Sequence, residues 1–310
     1  MHSVAFSVFG VDWEFFKPYI VIGLATGGAY ALSGVGIVVL YQATGVLNLA
    51  FGAIGAAGAL VSYWIVNHQP GVPEWLALGV CIAFGGVVTF LYGVVFGPAF
   101  ARREPLVKMM GTLALALILL GLMQWRAPQG GAFFRVLELP TSEHRYELLG
   151  ATINLTQILA LAFAIVLTVG TTLFLKYTKL GTAYRAVATD REITATLGVP
   201  VRWVEASAWL GSGIVCGTSG LLLADLFTTL DYTALSFDFL IASLAAALIG
   251  GLRSLTATLI GGLVVGLVQA VLTPYESVTQ YRTTAPFVIA IVALLWLGRH
   301  RVVVMTRAAR

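Results

Sequence analysis

Nine apolar runs separated by short polar breaks dominate this sequence. They cover residues 18–41, 46–66, 73–97, 108–125, 152–176, 202–226, 237–252, 254–273 and 284–298. A helix needs roughly 20 apolar residues to cross a bilayer, so the seventh and ninth runs are short. Charged residues make up only 10% of the chain, against about 25% in soluble domains. The pattern predicts an all-α polytopic membrane protein with about eight to nine transmembrane helices, as one transmembrane domain over 1–310.

The Lys and Arg residues indicate which ends of the spans face the cytoplasm. If the loop 177–201 is cytoplasmic, 13 of the 18 basic residues and four of the 14 acidic ones lie inside. Basic residues are enriched in cytoplasmic loops of membrane proteins. We therefore expect a multi-pass protein of the cell membrane (plasma or inner membrane), with its N-terminus outside and its C-terminus in the cytoplasm.

The order of the spans also predicts two inverted repeats with broken or re-entrant helices. Spans one to four enter from outside and spans six to nine enter from inside, an arrangement common among transporters. The first unit contains "GVLNLAFGAIGAAGAL" and the second contains "FDFLIASLAAALIGG", and both are rich in small residues.

The break "YQATGVLNLAFG" between the first two spans has polar residues but no Lys or Arg. Broken backbone at membrane depth must find partners in protein or in a water-lined cavity. One interpretation is a broken helix that lines a translocation path through Gln42, Thr44 and Asn48. The other is a tight turn in which Asn48 caps the next helix. Gly250 and Gly251 in "ALIGG" are either the counterpart of this break in the second half of the chain or a site of close helix packing.

Few ionisable residues fall at mid-membrane depth, since Asp225 and Asp238 are expected near the outer ends of their spans. A coupled carrier usually has such charges near the midplane. The chain has no "GxxxxGK[ST]" phosphate loop and no paired catalytic or metal-ligating set within the spans. We therefore expect neither an enzyme nor a metal site, and nothing predicts a nucleic-acid partner. A stand-alone secondary carrier or channel for a small organic solute remains the alternative function.

The outer loop 126–151 mixes acidic and basic residues. It is either a solvated surface or a docking surface for an external protein.

The inner segment 177–201 is the most charged part of the chain. Its periodicity predicts one or two short amphipathic helices, with Gly181 before the first and Gly198 after the second. Four charged residues are expected to project away from the apolar faces, namely Arg185, Asp190, Arg191 and Glu192. Such helices either rest among lipid headgroups or offer a rigid knob to a cytoplasmic partner.

Three segments in order carry a resemblance to a known family. "GTAYRAVATDREITATLGVP" resembles the cytoplasmic coupling loop of LivH-type permeases from branched-chain amino acid ABC importers. "GLATGGAYALSGVGIVVLYQATGVLNLAFGAIGAAGA" and "LAAALIGGLRSLTATLIGGLVVGLVQAVL" are similar to that family's opening and closing signatures. The resemblance extends over nearly the whole chain.

The resemblance implies a transmembrane permease subunit that works with several partners. These are a second permease subunit (a paralogue or an identical copy), two cytoplasmic ATPase subunits and an extracytoplasmic solute-binding protein. The 177–201 loop would contact an ATPase subunit through Gly181, Arg185, Asp190, Glu192 and Gly198. ATP and Mg would bind to the ATPase subunits, so no cofactor is expected on this chain.

The chain departs from the family at "NLAFGA", where familiar members usually read "NFAHGE". Phe51 and Ala53 replace two polar residues there. This predicts a path for branched-chain or other hydrophobic or aromatic amino acids, in which Phe51 sets the preference and Asn48 orients the polar end. The alternative is that Phe51 only packs against a neighbouring helix or lipid.

Overall fold

The computed structural model describes residues 13–68, 73–100, 103–127, 145–148, 151–226, 231–275 and 281–308. The helices before the midpoint of the chain are α1 (Trp13–Thr44), α2 (Phe51–His68), α3 (Glu74–Phe100) and α4 (Pro105–Arg126). A short antiparallel hairpin follows, formed by β1 (Arg145–Leu148) and β2 (Ala151–Asn154). The remaining helices are α5 (Leu155–Tyr177), α6 (Lys179–Thr189), α7 (Arg191–Thr196), α8 (Val201–Leu226), α9 (Tyr232–Ile249), α10 (Leu255–Leu272) and α11 (Ala285–Ala308).

Seven of the described helices are long and apolar enough to cross a membrane, namely α1, α3, α4, α5, α8, α9 and α10. Two shorter apolar stretches lie within α2 and α11. These helices follow the nine predicted runs in order, which confirms the all-α polytopic membrane fold. The predicted ends differ by five residues or more at four helices. In the structure α1 begins at Trp13, α2 begins at Phe51, α9 begins at Tyr232, and α11 extends to Ala308.

Glycines bring α8 into direct backbone contact with α3. A Cβ atom at Gly217 would overlap the carbonyl oxygen of Cys81, and one at Gly213 would overlap that of Gly85. Further along, Gly93 faces the indole of Trp209. Because residue numbers rise on one helix as they fall on the other, the two helices are antiparallel. Small residues at such contacts allow the close approach on which helix packing in membranes depends.

The pair formed by α10 and α1 repeats this arrangement. Gly262 lies against the backbone of Ala31, and Gly266 lies against Gly23 and Gly27. Helices α1 to α4 correspond in order to α8 to α11, and other contacts also match when each helix is replaced by its counterpart. The packing of α2 on α8 matches that of α9 on α1, and the packing of α4 on α2 matches that of α11 on α9. This exchange symmetry supports the predicted pair of repeats.

The connection between α1 and α2 turns back into the bundle. The Phe51 ring packs beside Gly36, which lies about 12 Å before the end of α1 at 1.5 Å per residue. The non-helical backbone in between is bonded within the protein. Thr112 Oγ1 accepts a hydrogen bond from the Leu49 amide at 3.1 Å, and Thr44 Oγ1 accepts one from the Val46 amide at 3.2 Å. The connection is therefore non-helical and satisfied within the protein, which both interpretations of this break require.

Most of the predicted outer loop lies outside the described residues. Its described residues are Arg126, Ala127, β1 and the first residue of β2. Tyr146 of β1 pairs with Ile153 of β2. A capping box at Asn154 and Gln157 then begins α5. The docking role of the loop stays a prediction.

The backbone contact between α8 and α3 gives a test of the packing. Gly217→Val would place methyl groups in the Cys81 backbone, so we expect it to lower the free energy of unfolding by about 1–3 kcal/mol or more. Gly211→Val on the same helix is the matched control, because no atom lies within 4 Å of its Cβ position. Melting temperatures of the purified proteins in detergent measure the difference. Equal melting temperatures for both variants would contradict the packing described here.

Candidate functional site

Helices α6 and α7 form a compact unit against one end of the bundle, here called the α6–α7 module (residues 179–196). Tyr184 and Val187 on α6 are buried in an apolar cluster with Leu40, Val204 and Trp209. The cluster joins the end of α1, the start of α8 and the module. The module is thus part of the folded protein, and its position is fixed by packing.

Three of the predicted coupling residues, Gly181, Asp190 and Gly198, shape the helices of this module. Gly181 lies within α6, which begins at Lys179, so its prediction as the residue before the helix is wrong. It packs on the last turn of α5, where a Cβ atom would lie 2.6 Å from the Leu175 Cα. Asp190 caps α7, because its Oδ1 accepts hydrogen bonds from the amides of Glu192 and Ile193 at 2.9 Å each. Gly198, with φ +84°, ends this segment in the left-handed conformation, as predicted.

Two polar contacts join the module to α8. The Arg191 guanidinium donates to the Glu205 carboxylate, from Nε to Oε1 at 2.7 Å and from Nη2 to Oε2 at 3.3 Å. The Tyr184 hydroxyl is hydrogen-bonded to Ser207 Oγ at 2.8 Å. The hydrogen bond to Glu205 raises the pKa of Arg191, and burial raises the pKa of the Tyr184 hydroxyl. Sequence reasoning missed both contacts, because their partners lie on either side of the turn around Gly198.

The outward face of the module combines charge with exposed apolar surface. Arg185 and Glu192 are exposed as predicted. Ile193, Leu197 and the nearby Trp203 are 59%, 76% and 63% exposed. Ile193 and Leu197 therefore do not pack onto the bundle. An exposed surface that combines large apolar groups with charges fits both alternatives, a helix among lipid headgroups and a protein-interaction site.

A groove of about 740 Å³ runs between the module and two turns of the bundle. Gln42 and Thr44 line it from the end of α1, Gly251 and Arg253 line it from the α9–α10 turn, and Arg185 lines it from α6. Gln42 Nε2 donates to the Arg253 carbonyl at 2.6 Å. Three predicted path residues therefore lie at the module end of the bundle, next to a predicted coupling residue. Gly250 is the C-cap of α9, so Gly250 and Gly251 lie in the α9–α10 turn. The exchange symmetry relates the α1–α2 break to the α8–α9 connection, so this turn is not its counterpart.

Asn48 and Phe51 lie deeper in the protein. Phe51 is 0% exposed and packs on Phe239 with a ring-centroid distance of 6.0 Å. Asn48 is buried, and its Oδ1 accepts a hydrogen bond from the Ala50 amide at 3.0 Å, just before α2 begins. The Asn48 bond is that of a tight turn just before α2, and the Phe51 position matches the packing alternative. A role for either residue in the translocation path stays a prediction.

Asp238 is placed differently from the expectation. The chain pattern put it near the outer end of its span, but α9 begins at Tyr232. Asp238 thus lies about 9 Å along the helix from its first residue and about 17 Å from its last. Its side chain is exposed on the surface of the subunit.

The sequence profile of the family described as "Branched-chain amino acid transport system / permease component" matches residues 19–297. The chain belongs to this family. It is 28% identical over 253 residues to the "Probable branched-chain amino acid transport permease protein LivH" of Methanocaldococcus jannaschii, covering 79% of this chain and 77% of that protein.

Two bacterial relatives match over greater lengths. The chain is 24% identical over 287 residues to the high-affinity branched-chain amino acid transport system permease protein LivH of Escherichia coli K12, covering 88% of this chain and 91% of the relative. It is also 24% identical to the corresponding protein BraD of Pseudomonas aeruginosa, covering 91% and 96%. The predicted resemblance to LivH-type permeases is thereby confirmed.

The Arg191–Glu205 contact predicts how firmly the module is held. Loss of the pair in Arg191→Glu or in Glu205→Arg should favour local opening by about 1 kcal/mol, a change of about fivefold in the open population. Trypsin cleavage after Arg185 should accelerate accordingly in each single variant. The double exchange should return the rate toward that of the wild type, because it restores the pair in reverse. Additive effects in the double variant would show that the pair does not hold the module.

Proposed function

We propose that this chain is the permease subunit of an ABC importer for branched-chain or other hydrophobic or aromatic amino acids. The observation that carries the proposal is the α6–α7 module, in a chain that belongs to a family of transport permeases. The module presents an outward face of charged and large apolar groups at the end of a membrane-spanning bundle. Its attachment to α8 lets a partner act on the membrane helices.

The proposed partner at this face is a cytoplasmic ATPase subunit. Arg185 and Glu192 would form charged contacts with it, and Ile193 and Leu197 would fill apolar pockets. Gly181, Asp190 and Gly198 would act indirectly, since they shape the two helices. ATP and Mg would bind to two such ATPase subunits, while a second permease subunit completes the membrane path.

The amino acid specificity is supported by the relatives, whose names refer to branched-chain amino acid transport. A solute-binding protein on the opposite side of the membrane would deliver the solute. Under the predicted topology, the module and the C-terminus face the cytoplasm of a cell whose plasma or inner membrane holds the complex. The N-terminus then lies outside.

A stand-alone secondary carrier is the second candidate, and Asp238 is the observation in its favour. An ionisable residue within a span is typical of ion-coupled carriers. Family membership and the outward face of the module favour the importer. Uptake in vesicles separates the two functions, since only the importer requires ATP and the ATPase subunits, and only the carrier follows an ion gradient.

The importer function predicts that the module's exposed charges couple ATP hydrolysis to transport. In the reconstituted complex, Arg185→Glu combined with Glu192→Arg should reduce leucine uptake by about tenfold, because two charge-assisted contacts to the ATPase are replaced by repulsion. ATP hydrolysis should lose its stimulation by the solute-binding protein.

Arg103→Glu is the control, since it reverses a charge of the same sign as Arg185 in an exposed turn at the same end of the bundle. It should leave uptake within about twofold of the wild type. If it is as damaging as the double variant, charge reversal anywhere on this surface lowers uptake, and the effect is not specific to the module.

The proposed orientation predicts opposite labelling of two cysteine variants in intact cells. A cysteine at the exposed Tyr146 of the hairpin should react with an impermeant thiol reagent added outside. One at the exposed Thr189 of α6 should react only after the membrane is permeabilised. The reverse labelling pattern would contradict both the topology and the ATPase-binding role.

A further inference from the structure

The membrane-spanning helices differ in whether their exposed surface carries an ionisable side chain. On α5 every exposed side chain between Ile158 and Leu173 is apolar or glycine. On α3 the same holds between Trp75 and Ala99. Away from helix ends in the described spans, Asp238 on α9 is the one exposed ionisable side chain. It lies on a stripe, here called the Asp238 stripe, that also contains Ala234, Phe237 and Ile241.

A carboxylate at this depth cannot face lipid at low cost. Ionisable side chains in membrane spans almost always face the protein interior or a water-filled cavity. Asp238 does not face the interior of this subunit, because it is exposed on its surface. Lipid can accommodate the exposed stripe of α5, but the Asp238 stripe requires water or a polar partner.

No basic side chain of the described residues forms an ion pair with Asp238. Arg282, in the turn before α11, and Asp238 both interact electrostatically with Tyr30, yet the two do not form a salt bridge. Other local groups do not neutralise the carboxylate either, since Asp231 at the start of α9 carries the same charge. The carboxylate is therefore available to a cation that comes from outside the subunit.

The side chain next to Asp238 suits an amphipathic ligand. Phe237, the residue before Asp238 on α9, is 42% exposed. A carboxylate beside an exposed aromatic ring matches the two ends of a hydrophobic amino acid, whose ammonium group is cationic and whose side chain is apolar. Carboxylates bind ammonium groups through short, charge-assisted hydrogen bonds.

We propose that the Asp238 stripe lines the water-filled transport path, where Asp238 binds the ammonium group of the transported amino acid and Phe237 contacts its side chain. This rests on the proposed importer function and adds a specificity-determining residue to it. It also accounts for an intramembrane acid in a transporter driven by ATP, because the acid binds the solute and not a coupling ion.

Uptake by the complete complex in proteoliposomes tests the role of Asp238. Asp238→Asn should reduce the maximal rate of leucine uptake by about tenfold or more, since the amide lacks the charge that binds ammonium. Asp238→Glu should retain more than half of the wild-type rate. Stimulation of ATP hydrolysis by the binding protein should persist in both variants, because the module is unchanged. Wild-type uptake by Asp238→Asn would overturn the proposal.

Cysteine labelling tests the position of the stripe without requiring transport. Cysteines at Ala234 and Ile241 should react with a charged methanethiosulfonate about tenfold or more faster than one at Val166 on α5, because thiolates form only where water reaches. The natural Cys81 and Cys216 are buried, which keeps the background low. Equal, slow labelling at all three positions would place the stripe against lipid or protein.

Two further outcomes separate the possible failures. If Asp238→Asn loses the second permease subunit on purification, Asp238 pairs with a residue of that subunit and the proposed solute contact is wrong. If the wild-type complex takes up no amino acid with ATP, the importer function itself fails. Uptake by the wild type together with normal uptake by Asp238→Asn rejects only the role of Asp238.

Discussion

Direct backbone contact between antiparallel helices holds this bundle together. In a membrane, apolar surface alone does not drive helices together, because lipid tails are equally apolar. The pairs α3–α8 and α1–α10 therefore depend on glycines that let one backbone rest on another. Everything else in the fold is arranged around these two pairs, including α2 and α9, which pack between them. The outward face of the module and the Asp238 stripe are both placed by this packing.

The local sequence was sufficient for the features that depend on neighbours in the chain. Apolar runs of the right length predict the spans, and Gly198 before Pro200 predicts the end of α7. The break at residues 45–50 was also predictable, because polar residues without a basic residue interrupt an apolar run there. The start of α9 was not predicted, since Thr233 and Ser236 lower the local hydropathy. Asp238 was consequently expected closer to the end of its helix than it lies.

Features that depend on distant residues could not be read from the sequence. Gln42 reaches the Arg253 carbonyl across 211 positions of the chain, so the groove that they share has no local signal. Arg191 and Glu205 are 14 positions apart, but the turn between them hides their proximity. Phe51 was a candidate for solute contact by its departure from the family pattern, and only tertiary packing places it against Phe239. The candidate site was thus predictable in its residue types and not in its geometry.

The attachment of the module has a mechanical consequence. Arg191 and Tyr184 both bond to α8, and α8 begins the second of the two symmetry-related units. The module also packs on Leu40 near the end of α1, which belongs to the first unit. The glycine contact of α8 with α3 joins the two units again further along α8. Under the proposed function, a displacement of the module by its partner would therefore be passed to both halves of the protein.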